Sequence, residues 1–239
     1  MEKPKKSLSQ NFLIDKNITK KIVALTKIKG NQILEIGPGY GFLTDCILAN
    51  NPKKVYLIEK DYNLKKLLIK KYQNNRKVNV IGDDIFLTNL NEFKDLIIIS
   101  NLPYNVSSKI ILYLFSFKEN INEMIFMIQK EMALKFDYKL PKMNKYKFLT
   151  KIVSHYTRCF DVSSKVFIPK PKVKSTIVKF KFNKKSIDLN KAKFFSSKIF
   201  KNVRKKIYNN LDTKLDSNLL DKRVNQLNID ELISIYNLF

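Results

Sequence analysis

Short apolar runs alternate with stretches of helical period through most of this chain. Gln32 to Ile36, Val55 to Ile58, Val78 to Ile81 and Leu96 to Ile99 are brief, apolar and rich in β-branched residues. Such runs read as strands buried on both faces of a parallel sheet. Phe42 to Ala49 carries a helical pattern directly after the first run, and Glu123 to Gln129 reads as a fifth strand. Thr176 to Phe182 alternates with period two, like an antiparallel strand. Strands and helices in this order predict an α/β fold with a doubly wound sheet. Beyond Asn183 the pattern turns helical: Asp188 to Phe200, a basic segment to Leu211, and Ile229 to Leu238. A domain boundary is expected near Asn183 to Ser186, giving domains 1–183 and 184–239.

Candidate chemistry gathers where the strands end. Three of the chain's five glycines lie in Gly37-Pro38-Gly39-Tyr40-Gly41, between the first strand and its helix. Strand, glycine turn and helix make the first half of a nucleotide-binding βαβ unit. The third glycine of a dinucleotide fingerprint would fall at position 42, which is Phe42. That glycine packs helix against strand beside a pyrophosphate, so its displacement suggests a nucleoside ligand without phosphates, which S-adenosylmethionine satisfies. The second strand ends in Glu59, placed as a carboxylate that takes ribose hydroxyls. The third runs into Asp83-Asp84, where a carboxylate can accept from an adenine amine. The fourth leads into Asn101-Leu102-Pro103-Tyr104, where a polar amide, a rigid turn and a flat ring meet a planar substrate. In a parallel sheet Gly37, Glu59, Asp84 and Asn101 converge on one crevice at the carboxyl edge.

Charge changes the picture of the partner. The chain holds 46 Lys and Arg against 21 Asp and Glu, a formal net charge of +25. Heavy use of Lys, Asn and Ile accounts for part of that excess, but not for where acids are missing. Between Ser163 and Ser186 there are eight lysines and no acid, Lys165, Lys170, Lys172, Lys174 and Lys179 among them. A second basic run holds Lys198, Lys201, Arg204, Lys205 and Lys206. A polyanion follows, with nucleic acid as the leading candidate. A basic helix lying on a membrane is disfavoured, because these runs lack a clean apolar face. No apolar run approaches the ~18 residues of a membrane helix. Cys46 and Cys159 are read as ordinary thiols, and the single histidine, His155, as packed or superficial. Catalysis by histidine, a metal or a cysteine nucleophile is not expected.

These residues carry a resemblance that runs nearly end to end. The chain resembles the ribosomal RNA adenine N6,N6-dimethyltransferases, a family that includes the small-subunit dimethylases and the erythromycin-resistance methylases. Ser9 to Leu13 is similar to the family's N-terminal signature, Glu35 to Thr44 to its cofactor loop, and Asn101 to Ser107 to its catalytic loop. Gln129-Lys130-Glu131 and Val166 to Ser175 are similar to two further blocks. The resemblance implies a Rossmann-like class I methyltransferase sheet, with S-adenosylmethionine as cofactor and a small C-terminal helical domain that binds RNA.

It also implies roles. Asn11 and Leu13 would close over the cofactor, Gly37 would admit its methionine part, Glu59 would take the ribose, and Asp84, in competition with Asp83, the adenine amine. Asn101 and the Leu102 carbonyl would hold the target amine, Tyr104 would stack on the base, and Phe167 would cover its other face. Such acceptors favour a pyramidal nitrogen with a free lone pair, so no strong base is needed. The target must be flipped or unpaired. Leu102 and the basic segment Phe200 to Leu211, similar to a basic helix ending in Asn-x-Leu, favour the small-subunit branch. Val203 and Lys147 depart from its pattern, standing where Arg and Gly are usual. A cytoplasmic monomer acting on an immature small ribosomal subunit is the expectation, because the signature begins too early for a targeting presequence. The alternatives are a methylase of large-subunit rRNA, a noncatalytic assembly or transcription factor, and a small-molecule methyltransferase.

Overall fold

The computed structural model describes residues 11–82, 84–183, 186–211 and 218–239. The chain forms two compact units, one of residues up to Lys130 together with Arg158–Phe182, the other of Glu131–Thr157 together with Asn183–Phe239. This division differs from the sequence-based one, which placed residues 131–157 in the first domain. The reason lies in packing, described below for the second unit.

The first unit begins with β1 (Phe12–Leu13) and α1 (Lys16–Val23), whose first turn is capped by the Asp15 carboxylate. Then β2 (Gln32–Ile36), α2 (Phe42–Ala49), β3 (Lys54–Ile58), α3 (Tyr62–Tyr72) and β4 (Val78–Gly82) follow in strict alternation. They are succeeded by β5 (Leu96–Asn101), α4 (Ser107–Leu114) and β6 (Ile121–Gln129). Five of these strands pair parallel in the order β4-β3-β2-β5-β6. Ile33, Leu34, Val55, Leu57, Ile98 and Ile99 are fully buried. Burial on both faces is what near-continuous apolar runs require, since alternation would leave one face wet.

Past β6 lie α5 (Lys130–Phe136), α6 (Lys145–Val153), β7 (Ser154–Val162), the short β8 (Phe167–Ile168) and β9 (Ser175–Phe182). β9 runs antiparallel to β6, from Lys181 opposite Glu123 to Ser175 opposite Gln129, as the alternating pattern predicts. The sheet is completed in the order β6-β9-β7. β7 was not foreseen, because Ser154-His155-Tyr156-Thr157-Arg158 is too polar to announce a strand. β8 pairs antiparallel with β1, placing Phe12 opposite Ile168 and Leu13 opposite Phe167.

The second unit is built on aromatic contacts between α6, α7 (Leu189–Ile199) and α8 (Ile229–Leu238). Phe148 of α6 lies 5.1 Å from Phe195 of α7 and 5.4 Å from Tyr236 of α8, ring centre to ring centre. A helix whose buried face is Phe148, Leu149 and Val153 belongs with the helices that cover it. That is why residues 131–157 join the C-terminal segment. The basic helix expected over Phe200 to Leu211 is not formed. α7 stops at Ile199, residues 201–205 make turns, and only the single turn Ile207–Asn209 follows. Lys147 departs from the pattern for a local reason. It is buried, and its ammonium donates to the Leu140 carbonyl at 2.8 Å and to the Pro141 carbonyl.

Candidate active site

The carboxyl ends of β2, β3 and β5, with the segment after β4, open onto one cavity of about 230 Å3. Asn11, Leu13, Gly37, Glu59, Asp84, Asn101, Leu102 and Tyr104 all line it. Eight of the nine expected site residues are therefore brought together. Asp83, the competitor of Asp84, lies outside the described residues.

The glycine turn shapes the floor. Gly39 and Gly41 have φ of 59° and 80°, which side-chain-bearing residues rarely adopt. A Cβ on Gly39 would stand 2.8 Å from the Phe12 ring, and one on Gly41 would strike the Tyr72 hydroxyl. Tyr72 itself donates to Asp45 at 2.7 Å and approaches the Gly41 carbonyl at 3.2 Å, so the end of α3 braces the turn. Phe12 meets Tyr40 edge to face at 4.8 Å, which lays the N-terminal segment over the turn. At Gly37, by contrast, an added Cβ would meet nothing closer than Pro103 at 4.0 Å. Bare backbone and open space at the cavity wall leave room for a ligand.

Glu59 is only 6% exposed. Its carboxylate accepts from the Gly39 amide at 3.1 Å and the Asp61 amide at 2.8 Å. Burial raises its pKa above the ordinary carboxylate value, and those two amides partly oppose the rise. The carboxylate's remaining acceptor capacity is open to a ligand hydrogen. Asp84 is more open and differently held. Lys60 donates to its Oδ2 at 2.8 Å and the Phe86 amide to its Oδ1 at 3.0 Å. Burial pulls its pKa upward, but Lys60 and the Phe86 amide prevail, and the carboxyl stays below its usual range.

Asn101 has one half of its amide fixed and one half open. Its Nδ2 donates to the Asn11 carbonyl at 2.8 Å, tying the N-terminal segment to the end of β5. Its Oδ1 is buried and has no hydrogen-bond partner among the described residues. A buried acceptor left open costs ~1–3 kcal/mol, so it marks a place where a ligand hydrogen belongs. Tyr104 is half-buried, and its hydroxyl lies 2.6 Å from Ser175 Oγ. Phe167 is the residue the structure does not bring to the cavity. It is 3% exposed and packs in the main core cluster beside Leu13 and Val162. It stands opposite Leu13 in the β1–β8 pair.

Three contributors escaped the sequence reading. Glu35, 2% exposed, lines the cavity and accepts from Thr44 at 2.6 Å. Burial pushes its pKa up to about 8 against the Thr44 hydrogen bond. Acid at the end of an apolar strand was its only signal. Lys60 follows directly on Glu59, and nothing in sequence pairs it with Asp84. Ser175 closes a block singled out for its family resemblance, and its hydroxyl gave no hint of a partner.

A parallel sheet with a glycine turn after its first strand, a buried carboxylate after its second and an open amide acceptor at Asn101 fits a Rossmann-like, S-adenosylmethionine-dependent methyltransferase. The open Asn101 acceptor, the bare backbone at Gly37 and the remaining acceptor capacity of Glu59 fit cofactor and target amine together. The sequence matches the family Ribosomal RNA adenine dimethylase over residues 1–238. It is 38% identical over 233 residues to the ribosomal RNA small subunit methyltransferase A of Malacoplasma penetrans, covering 94% of this chain and 84% of that protein. It is 35% identical over 242 residues to the protein of the same name from a Hydrogenobaculum species, covering 99% and 94%. Among solved structures, a dimethyladenosine transferase from Plasmodium falciparum superposes with a TM-score of 0.79 at 22% identity, covering 95% of this chain and 98% of that one. The 23S rRNA methyltransferase ErmE superposes at 0.76 and 20%, with the same coverage. At such identities the two structures speak for the fold. This chain belongs to the ribosomal RNA adenine dimethylase family, as an S-adenosylmethionine-dependent enzyme acting on adenine in rRNA.

Proposed function

We propose that this enzyme dimethylates the N6 amine of adenosines in small-subunit rRNA, probing an immature subunit in the cytoplasm as a monomer. The observation that carries the catalytic part is the buried, unpartnered Oδ1 of Asn101 at the cavity wall. The curated relatives named above support the small-subunit part, since both bear that substrate in their names.

Bound S-adenosylmethionine supplies a methyl group on a sulfonium, already activated for departure. Glu59 takes the ribose hydroxyls, the Gly37 backbone admits the methionine part, and Asp84 accepts from the adenine amine. Asn11 and Leu13 cover it from the N-terminal segment. On the substrate side, Asn101 Oδ1 and the Leu102 carbonyl would each accept one hydrogen of the unmethylated target amine. One of them would accept the single hydrogen left for the second transfer, and each transfer releases one proton from the nitrogen to solvent. Held by two acceptors out of the ring plane, the nitrogen keeps its lone pair from delocalising and becomes nucleophilic. Tyr104 stacks on the flipped base, and positioning supplies much of the rate.

Lys165, Lys170, Lys172 and Lys174 are exposed on the first unit, and Lys198, Lys201, Arg204 and Lys205 on the second. These cations meet RNA phosphates, whose contacts weaken with salt and carry little sequence information. Lys179 takes no part, because it is bound to Glu123 and to the Leu25 carbonyl, each at 2.8 Å. Shape recognition by an assembled particle then supplies specificity. The test is methyl transfer, side by side, to protein-free rRNA, small-subunit particles and large-subunit rRNA. Small-subunit particles are expected to be the best substrate. Preferential dimethylation of large-subunit rRNA would move the enzyme to the resistance branch.

A further inference from the structure

Ser175 is the first residue of β9 and is completely buried. The lysine-bearing segment that precedes it is clamped at its last residue, where the Lys174 carbonyl accepts from the Lys130 amide at 2.9 Å. The Ser175 hydroxyl lies 2.6 Å from the hydroxyl of Tyr104. A hydroxyl buried in a sheet is costly unless bonded, and alanine would fill the same space without that cost. Serine at this position is therefore explained by Tyr104, not by packing.

Tyr104 is gripped at its other end as well. Pro103 restricts the backbone before it, and Ser107 Oγ donates to its carbonyl at 3.2 Å. A ring fixed only at Cα swings about two side-chain torsions. Fixing the distal hydroxyl stops the swing about the first and so places the ring at the cavity wall; it lies on the axis of the second, which it biases only through the preference of a phenol O–H for the ring plane. A stacking surface held in one place orders the flipped base with less reorganisation during the reaction.

We infer that Ser175 is a positioning residue that holds the Tyr104 ring in the place needed to stack on the target adenine. This rests on the stacking role given to Tyr104 above. It also joins the basic segment that meets RNA to the ring that meets the base, through one hydrogen bond at the head of β9.

The test is a double-mutant cycle on the full-length enzyme: Ser175→Ala, Tyr104→Phe and the double variant. Methyl transfer is followed in single turnover on whichever rRNA particle the unaltered enzyme modifies, and cofactor affinity by calorimetry. Each single variant is expected to slow the methyl-transfer step about tenfold, the effect of one lost hydrogen bond. Cofactor affinity should stay within about twofold, and the double variant should be no slower than the slower single. Tyr104→Phe breaks the same bond without touching β9, so it carries the test even if Ser175→Ala disturbs folding, and a wild-type rate in Tyr104→Phe overturns the inference whatever Ser175→Ala does. A wild-type rate in both singles, or multiplicative slowing in the double, overturns the inference. Tyr104→Ala separates the two readings. If it too runs at the wild-type rate, the stacking role itself falls. If it is slow while both singles are fast, only the Ser175 latch falls.

Discussion

Two consecutive residues line one cavity, one at its buried end and one at its open end, and they are held by different physics. Glu59 turns inward, where backbone amides of Gly39 and Asp61 fix its carboxylate and burial raises its pKa. Lys60 turns outward to Asp84, whose side chain is 22% exposed and stays readily ionised. The buried end is set by backbone geometry, so salt barely reaches it and any loss is felt in full. The open end is set by a solvated lysine, so water substitutes for what is removed. Carboxylates assigned to one cofactor thus differ greatly in what their removal should do.

The largest effect should come from the buried end. Glu59→Ala is expected to weaken S-adenosylmethionine binding by roughly 10²–10⁴-fold, from two charge-assisted hydrogen bonds of about 1.5–3 kcal/mol each. Unchanged affinity by calorimetry would remove Glu59 from the ribose. Asn101→Ala follows, with methyl transfer falling on the order of 10²–10³-fold, as when one preorganised hydrogen-bond partner is lost at a reacting centre. Cofactor affinity should fall no more than about tenfold, through loss of the bond to the Asn11 carbonyl. Equal losses in both would mean that the amide serves cofactor alone.

A pH experiment probes the same buried end through Glu35. Its pKa is about 8 in the folded protein against an ordinary 4.5. Between those values the folded chain retains a proton that the unfolded chain has released, so this group makes stability fall as pH rises. From pH 6 to 8 its contribution should drop on the order of 2 kcal/mol. Urea unfolding of Glu35→Gln at the two pH values should lack that slope. An identical slope in both proteins would show that Glu35 ionises normally. The smallest effect belongs to the open end. Lys60→Ala should change stability by less than about 1 kcal/mol and cofactor affinity by a few-fold at most. A hundredfold loss there would erase the contrast between the two ends.

The strand ends were legible because their signals are local. β2 and α2 have the bounds that periodicity predicts, since apolar runs and a glycine turn specify themselves. Asn101 was found from its place after Leu96 to Ile99. What escaped depends on partners far along the chain. Phe167 belongs to a motif next to the substrate block, but pairing opposite Leu13 buries it elsewhere. Residues 131–157 look like a continuation of the alternating pattern, yet the aromatic face of α6 finds Phe195 and Tyr236. The basic run after Ile199 has helix-forming lysines, and propensity without a buried apolar stripe does not hold a helix together. Ser175 and Lys60 carry no pattern at all until their partners are in place.

The pairing of β1 with β8 has a consequence for biosynthesis. Phe12 and Leu13 leave the ribosome early, but their partners Ile168 and Phe167 are translated much later. Asn11 likewise waits for Asn101, ninety positions on, before its carbonyl is engaged. A nascent chain that has completed β2 to β5 can lay out the glycine turn, both carboxylates and the Tyr40 and Asn101 contacts of the N-terminal segment, yet its first strand lacks its paired strand. Closure of the cofactor pocket is therefore a late step of synthesis, and the earliest-made residues are among the last to find their place. Ligand retention by ribosome-bound chains of increasing length should switch on only after β8 has emerged.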